Sequence, residues 1–465
     1  MRSKPNILIL MTDQQRHDCL SCAGHPLIST PNMDRLARQG MRFTQATTSS
    51  PVCMPARNSF ITGLYPHSHG MWNNSGEVAA GQLNLFHLLK NAGYSTAYIG
   101  KSHYYAHEGV TRHLRDREPY MHRLGIDYVH ETTGPYATLH TRSCLTEAWA
   151  QKGDHFERFE RDYRERAKAR GILARPSPLP VEDFPDSYVG RKAIEFVDSY
   201  DQDRPVCLFV GFGGPHDPWD APGEYASMYD PSATPAAIPA AEHLGALPTT
   251  IRDKWDLQSR PDLTPEVIAA IRANYYGKIS LIDRWCGDIL LATERNGWND
   301  NLLVVFWSDH GEMLGDHGRI QKCTFHESSV RVPLILSWPG TIPQASCCDA
   351  LVELVDLLPT VANLLEIPSS APCEGQSLVS LFSRPQAQLR DNQLSEIEWG
   401  GSRNRMLRGH RFKYAEDSDG TAYMLYDLEN DPKELRNLAA DAAHNAVRAR
   451  LHDALAQRSR PGDCH

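Results

Sequence analysis

No stretch of the sequence reaches the roughly 18 consecutive apolar residues that a membrane-spanning helix needs. The first apolar run, Ile7 to Met11, is too short for a signal-peptide core, and no small-residue cleavage site follows it. The expectation is a cytoplasmic protein with no membrane partner. A basic excess is missing as well: 48 Lys and Arg stand against 57 Asp and Glu, for a net charge of −9. That balance argues against nucleic acid as a partner, and it means that an anionic substrate has to be held by local cations against the overall field. The eleven cysteines are odd in number and scattered, which gives no disulfide framework and suits a reducing compartment. Cys19 and Cys22, between His17 and His25, mimic half of a zinc knuckle but lack the second close pair that would complete it. Internal repeats and low-complexity tracts are also absent. What remains is an ordinary globular composition, 41% hydrophobic and 23% charged, in a chain of 465 residues that can bury a sizeable core.

Four short apolar runs end in polar tips. Asn6 to Met11 leads into Thr12-Asp13-Gln14, and Tyr94 to Ile99 into Gly100-Lys101-Ser102-His103. Val206 to Phe212 leads into Gly213-Gly214-Pro215-His216-Asp217, and Asn301 to Trp307 into Ser308-Asp309-His310-Gly311. Helical spacing over Leu83 to Ala92, Ser187 to Tyr200 and Pro265 to Asn296 precedes the last three runs. Strands apolar on both faces and separated by helices predict an α/β fold with a parallel sheet covered on both sides. The C-terminal strand ends are where such sheets bind ligands. Residues 104–186 break the rhythm and predict an insertion over the site, partly helical near 156–170, with its charges on a solvated face. Residues 217–263, rich in Pro, Ala and Asp, predict a second, irregular lid. Composition shifts near Pro368 to Pro372, which divides the chain into a catalytic domain of residues 1–370 and a smaller unit of residues 371–465 ending in a helix.

Between the first two strands lies Pro51-Val52-Cys53-Met54-Pro55-Ala56-Arg57, followed by Asn58-Ser59-Phe60-Ile61-Thr62-Gly63. Pro55 suits the first turn of a helix and Gly63 the position just past its end, so a short helix is expected to start at Cys53. A side chain at that terminus faces unpaired N–H groups and the positive end of the helix dipole, which favours an anionic nucleophile or substrate. Arg57 follows one turn along the same face and can reach an oxyanion. A buried structural cysteine next to a helix-starting proline would also give Cys-x-Pro. Asp13, Asp309 and His310, with the amide of Gln14 beside them, form an oxygen-rich set that suits Ca²⁺ or Mg²⁺ better than Zn²⁺. Trp72, Asn73, Asn74, Trp219, Asp220 and Trp399 are candidates to line a leaving-group pocket.

The Cys-x-Pro-x-Arg segment with its trailing Thr-Gly resembles the signature of the type I sulfatases, in which the cysteine is oxidised after synthesis to formylglycine. The likeness extends through Pro5-Asn6-Ile7-Leu8, Thr30-Pro31-Asn32-Met33-Asp34-Arg35-Leu36, Gly100-Lys101-Ser102-His103, Ser308-Asp309-His310-Gly311, Gly315-Asp316-His317-Gly318 and Tyr426-Asp427-Leu428-Glu429-Asn430-Asp431-Pro432, in the family's order. It implies the alkaline phosphatase-like fold: a large, mainly parallel sheet between helices, and a small C-terminal subdomain with an antiparallel sheet and a helix. It implies a divalent metal on Asp13, Gln14, modified Cys53, Asp309 and His310, with Ca²⁺ first and Mg²⁺ or Mn²⁺ as substitutes. Cys53, Arg57, Lys101, His103, His216 and Lys322 match the family's substrate and acid/base positions. The implied reaction is hydrolysis of a small-molecule or saccharide sulfate ester, with His216 protonating the leaving oxygen and His103 taking a proton from the formylglycine hydrate. A formylglycine-generating or sulfatase-maturating enzyme is the implied partner, and a homo-oligomer is allowed. One departure is Asp13-Gln14, where many arylsulfatases have two successive Asp residues. The branch with phosphonate monoester hydrolases and choline sulfatases has Asp-Gln, which keeps phosphonate monoester or phosphodiester hydrolysis as the alternative. Lys101 and His103 follow the sulfatase pattern.

Overall fold

The computed structural model describes residues 4–107, 109, 111–169, 171–201, 203–240, 261–368 and 372–459. Its frame is an eight-stranded sheet built from β1 (Asn6–Asp13), β2 (Met41–Thr47), β3 (Ser95–Lys101), β4 (Tyr128–Thr132), β5 (Val206–Pro215), β6 (Leu302–Ser308), β7 (Leu334–Ser337) and β8 (Ser346–Glu353). The spatial order is β4-β3-β5-β1-β6-β7-β2-β8. β1 lies at the centre, parallel to both neighbours, with Leu10 opposite Val210 on one side and Phe306 on the other. Only β7 runs against its neighbours β6 and β2.

Successive side chains of a strand point to opposite faces, so an apolar central strand feeds two cores. Ile7, Ile9 and Met11 pack with Phe60, Leu85 and Leu89 on one side. Leu8 and Leu10 pack with Val189, Val197, Ile282 and Ile289 on the other. All five β1 residues are fully buried, and each such side chain contributes about 1.5–3 kcal/mol relative to exposure. The second face is covered by the helices Pro185–Ser199 and Pro265–Arg295. They approach so closely at Gly190 that a Cβ there would lie 2.4 Å from the Trp285 ring.

The expected helices and strands are present with shifted ends. β1 runs on to Asp13 and β3 to Lys101, so the functional tips belong to the strands themselves rather than to the loops after them. Residues 104–186 do contain a helix, His155–Lys168, but they also supply β4, a full member of the sheet paired with β3. The reading of this segment as an insertion over the site is corrected to that extent. β2, β7 and β8 were not anticipated. Of the expected lid, residues 241–260 lie outside the described residues, as does the expected boundary between residues 370 and 371.

The smaller sheet is an antiparallel meander of β9 (Gln393–Trp399), β10 (Ser402–Arg408), β11 (Phe412–Glu416) and β12 (Ala422–Asp427). The helix Asn445–Arg458 covers it, with Leu451 and Leu455 on Leu394, Leu407, Tyr414 and Leu425. The meander is tied to the large sheet where Glu396 N–H donates to Ser49 O at 2.9 Å. Among the described residues no helix is long and apolar enough to cross a membrane.

Candidate active site

Cys53 is the first residue of the helix Cys53–Thr62, preceded by extended Val52 and closed by Gly63 at φ 68°. That left-handed turn costs glycine little, and a Cβ there would meet Cys373 Sγ at 2.7 Å. Every residue of the helix is buried. Phe60 stacks on Trp307 of β6 with centroids 4.1 Å apart and planes 3° from parallel, and meets Phe209 of β5 edge-on. These contacts seat the helix on the sheet and bring Cys53 over the C-terminal ends of β1 and β6.

There the strand tips converge. Cys53 Sγ lies 3.2 Å from His310 Nε2 and 3.9 Å from Asp13 Oδ1, and Lys322 Nζ donates to it at 3.4 Å. Ligand atoms of Asp13, Cys53, Asp309 and His310 all lie within 4.8 Å of one another, and all four residues are buried. Among the described residues this is the single His, Cys and carboxylate group with such spacing, so the Cys19–Cys22 pair forms no comparable centre.

Arg57 braces the carboxylates. Its Nη2 donates to Asp13 Oδ2 at 2.6 Å, its Nε to Asp309 Oδ2 at 2.8 Å, and its Nη1 to Lys101 O at 2.6 Å. Lys101 Nζ also binds Asp13 Oδ2. Burial works to raise the Asp13 pKa, yet Lys101 and Arg57 outweigh it and hold the carboxyl well below its ordinary range. The same contest sets the thiol: burial pushes Cys53 up, but Lys322, Lys101 and His310 hold it well below the ordinary thiol value. Lys322 in turn is raised despite its burial by the facing Cys53 and Asp13.

The histidines differ in their surroundings. His310 Nδ1 bonds Gly311 O at 3.0 Å, which turns Nε2 toward Cys53. Burial opposes protonation of His310, but Asp309 and Cys53 raise it. His103, in a left-handed conformation at φ 54°, is hydrogen-bonded to Cys53 and is pushed well below the ordinary histidine value by burial and by Lys101. His216, at the end of β5, bonds Asp217 O at 2.6 Å through Nδ1 and lies 2.7 Å from Lys322 Nζ through Nε2.

A cavity of about 270 Å³ opens over Cys53, lined by Asn74, Lys101, His103, Ala106, His107, Gly134, Pro135, Tyr136, Ala137 and His216. Its described lining contains no carboxylate. Sequence reasoning missed His107 and the segment 134–137, which follows β4; the dipeptide Gly134-Pro135 after an unrecognised strand was the one available signal. Of the six proposed pocket residues only Asn74 belongs to the lining. Trp219 is corrected to a core residue: it is fully buried and its indole N–H donates to Gly171 O at 2.6 Å. Asp220 is equally buried and pairs with Lys278 at 2.9 Å. Trp72 lies under the Arg403 guanidinium at 4.6 Å, Asn73 donates to Glu398, and Trp399 packs on the core of the smaller sheet.

The sequence matches the family model described as Sulfatase over residues 5–367, and the model described as N-sulphoglucosamine sulphohydrolase, C-terminal, over residues 315–460. It is 29% identical over 450 residues to an arylsulfatase of Clostridium perfringens, covering 94% of this chain and 90% of that protein. It is 29% identical over 458 residues to a choline-sulfatase of Rhizobium meliloti, covering 94% and 82%. The phosphonate monoester hydrolase of Agrobacterium radiobacter superposes with a TM-score of 0.78 at 25% identity, covering 98% of this chain and 95% of that one. A parallel sheet whose tips gather two aspartates, a histidine and the Cys-x-Pro-x-Arg cysteine, in a chain matched over most of its length, makes this protein a member of the sulfatase family in the alkaline phosphatase-like superfamily.

Proposed function

We propose that this sulfatase hydrolyses organic sulfate monoesters to alcohol and sulfate with residue 53 as formylglycine and with a divalent metal on Asp13, Gln14, residue 53, Asp309 and His310. The observation that carries this reading is the convergence of Cys53 with Asp13, Asp309 and His310 under a cationic cavity. The donors suit a hard cation. The carboxylate of Asp13 is held ionised, and with His310 Nδ1 engaged by Gly311 O the Nε2 lone pair faces the group. Ca²⁺ fits this oxygen-rich set first, with Mg²⁺ or Mn²⁺ as substitutes. When present, the metal supplies Lewis-acid polarisation and the formylglycine hydrate supplies the nucleophilic hydroxyl.

The chain's own residues do the rest. A sulfate monoester carries one diffuse negative charge, and charge grows on the bridging oxygen as the S–O bond breaks. Lys101 and Lys322 flank residue 53 and hold the sulfuryl oxygens, a fixed cationic environment that needs no reorganisation during the reaction. Arg57 keeps Asp13 and Asp309 in place. His216 lines the cavity and delivers a proton to the leaving oxygen, while His103, hydrogen-bonded to residue 53, accepts a proton there.

All of these residues fall in the domain we assign to 1–370; residues 371–465 form the C-terminal subdomain. The substrate is a small-molecule or saccharide sulfate ester, a reading supported by relatives named arylsulfatase and choline-sulfatase. A formylglycine-generating or sulfatase-maturating enzyme is the required partner. A cytoplasmic location is supported by the ten cysteines among the described residues, none of which is paired in a disulfide. Phosphonate monoester hydrolysis is the second reading, favoured by Gln14 and by the superposition on a phosphonate monoester hydrolase. Intact mass tests the main reading: relative to the unmodified chain, the active protein should have lost one sulfur and two hydrogens and gained one oxygen, the change for CH₂SH becoming CHO. Cys53→Ala should show no turnover of a nitrophenyl sulfate; a fully active Ala variant rules the proposal out.

A further inference from the structure

Gln14 is held at every polar atom. Its N–H donates to Asp309 Oδ1 at 3.0 Å and its carbonyl accepts from Tyr275 OH at 2.6 Å. At the far end of the side chain, Oε1 accepts from Lys322 Nζ at 2.5 Å, while Nε2 donates to Glu312 Oε2 and, at 3.4 Å, to Asp217 Oδ1. The two ends of a carboxamide are nearly the same shape, and turning the group over exchanges an acceptor for a donor. Only the oxygen end can face a cation, so something has to set which way the group points.

We propose that Glu312 is a positioning residue that sets it, an inference that rests on the metal reading above. Glu312 is fully buried, an arrangement that is unfavourable unless its oxygens are satisfied by hydrogen bonds. They are, and with divided tasks. Oε1 accepts from the backbone N–H groups of Leu314, at 3.1 Å, and Gln321. Oε2 accepts from Gln14. One carboxylate therefore anchors the loop that leads into Lys322 and turns the Gln14 oxygen toward that ammonium and the metal position.

The arrangement also explains an amide at position 14. Glu312 Oε2 and Asp217 Oδ1 line that end of the niche with acceptors, which an NH₂ group satisfies and a second carboxylate would oppose.

Glu312→Gln keeps one oxygen for the two backbone N–H groups and puts an NH₂ group against Gln14. Ca²⁺ affinity, measured by calorimetry on chelator-treated protein with the same form of residue 53 throughout, should fall by about 10- to 100-fold, the range for losing a partner that orients a metal ligand. In a Gln14→Ala background the same substitution should change affinity by less than about threefold, because the group it orients is gone. Asp217→Asn should give a smaller loss in the same direction and serves as the test if Glu312→Gln does not fold. A Glu312→Gln protein that binds Ca²⁺ as wild type does, or an equal loss in both backgrounds, overturns the inference alone. A wild-type protein that binds no Ca²⁺, Mg²⁺ or Mn²⁺ overturns the metal reading and this inference with it.

Discussion

The ammonium of Lys322 lies 2.7 Å from Nε2 of His216, whose Nδ1 bonds the carbonyl of Asp217. An ammonium can only donate, so Nε2 presents its lone pair to Lys322 and Nδ1 carries the proton. In the resting imidazole Nε2 is thus the acceptor, held by the Lys322 ammonium. In the proposed mechanism the two side chains act as one unit, with Lys322 orienting His216 and His216 protonating the leaving oxygen.

That unit should matter in proportion to how poor the leaving group is. His216→Ala is expected to lower kcat/KM for an alkyl or sugar sulfate by about 10²- to 10⁴-fold, the usual range for general acid catalysis. For a nitrophenyl sulfate, whose phenolate leaves without help, the loss should be at least tenfold smaller. Equal losses on both substrates would assign His216 to binding instead.

Chelation should abolish turnover without unfolding the protein. Asp13 stays paired with Arg57 and Lys101 in any case, so the strand tips keep their main cross-links. Returning Ca²⁺ at about 100 times its dissociation constant should stabilise the fold by about 2.7 kcal/mol. Differential scanning calorimetry with and without the ion checks both statements.

Sulfate and phosphonate esters of the same phenol separate the two enzymatic readings. With Lys101 and His103 on the cavity wall, kcat/KM should be higher for the sulfate. A reversal would make phosphonate monoester hydrolysis the principal activity.

The stack of Phe60 on Trp307 predicts a stability effect centred on the helix that carries Cys53. Phe60→Ala should cost about 3–5 kcal/mol, from lost burial and the cavity left behind. Phe60→Leu should cost less. Urea unfolding followed by tryptophan fluorescence reads the difference.

His67, which is not one of the clustered residues Asp13, Cys53, Asp309 and His310, makes stability depend on pH. Its burial disfavours the charged form, but hydrogen bonds to Glu374 and Glu396 prevail and push it up to about 9, from an ordinary value of 6.5. A raised pKa means that the folded state binds the proton more tightly than the unfolded chain. The stabilisation is complete below about pH 6.5 and is lost as pH rises through about 9. His67→Gln should remove that decline, so the gap in Tm between wild type and variant should narrow across this interval.

Strand interiors and the chemistry at their tips were legible because central parallel strands are apolar on both faces and stop abruptly at Asp13, Lys101, His216 and Asp309. β2 was not, because Arg42, Thr44 and Gln45 interrupt it. Its partner β8 lies about 300 residues away, a separation that local patterning does not report. The cavity wall at His107 and Tyr136 was hidden for a related reason: those residues come from the charged segment around β4, where no periodicity marks them. Trp219 misled in the opposite direction. It follows a functional tip, but the chain turns inward there and the ring packs edge-on to Tyr275 at 6.0 Å.

Cys53 is 1% exposed, on a helix with no residue at the surface. A second enzyme has to bind the chain around a thiol before it can oxidise it, and the finished protein offers no such purchase. If residue 53 becomes formylglycine as proposed, its maturation is expected to run ahead of folding, while the Cys-x-Pro-x-Arg stretch is still accessible. Molecules that close first would be locked in the thiol form, so the fraction of competent protein in a preparation records a race during synthesis that later treatment with the maturating enzyme cannot rerun.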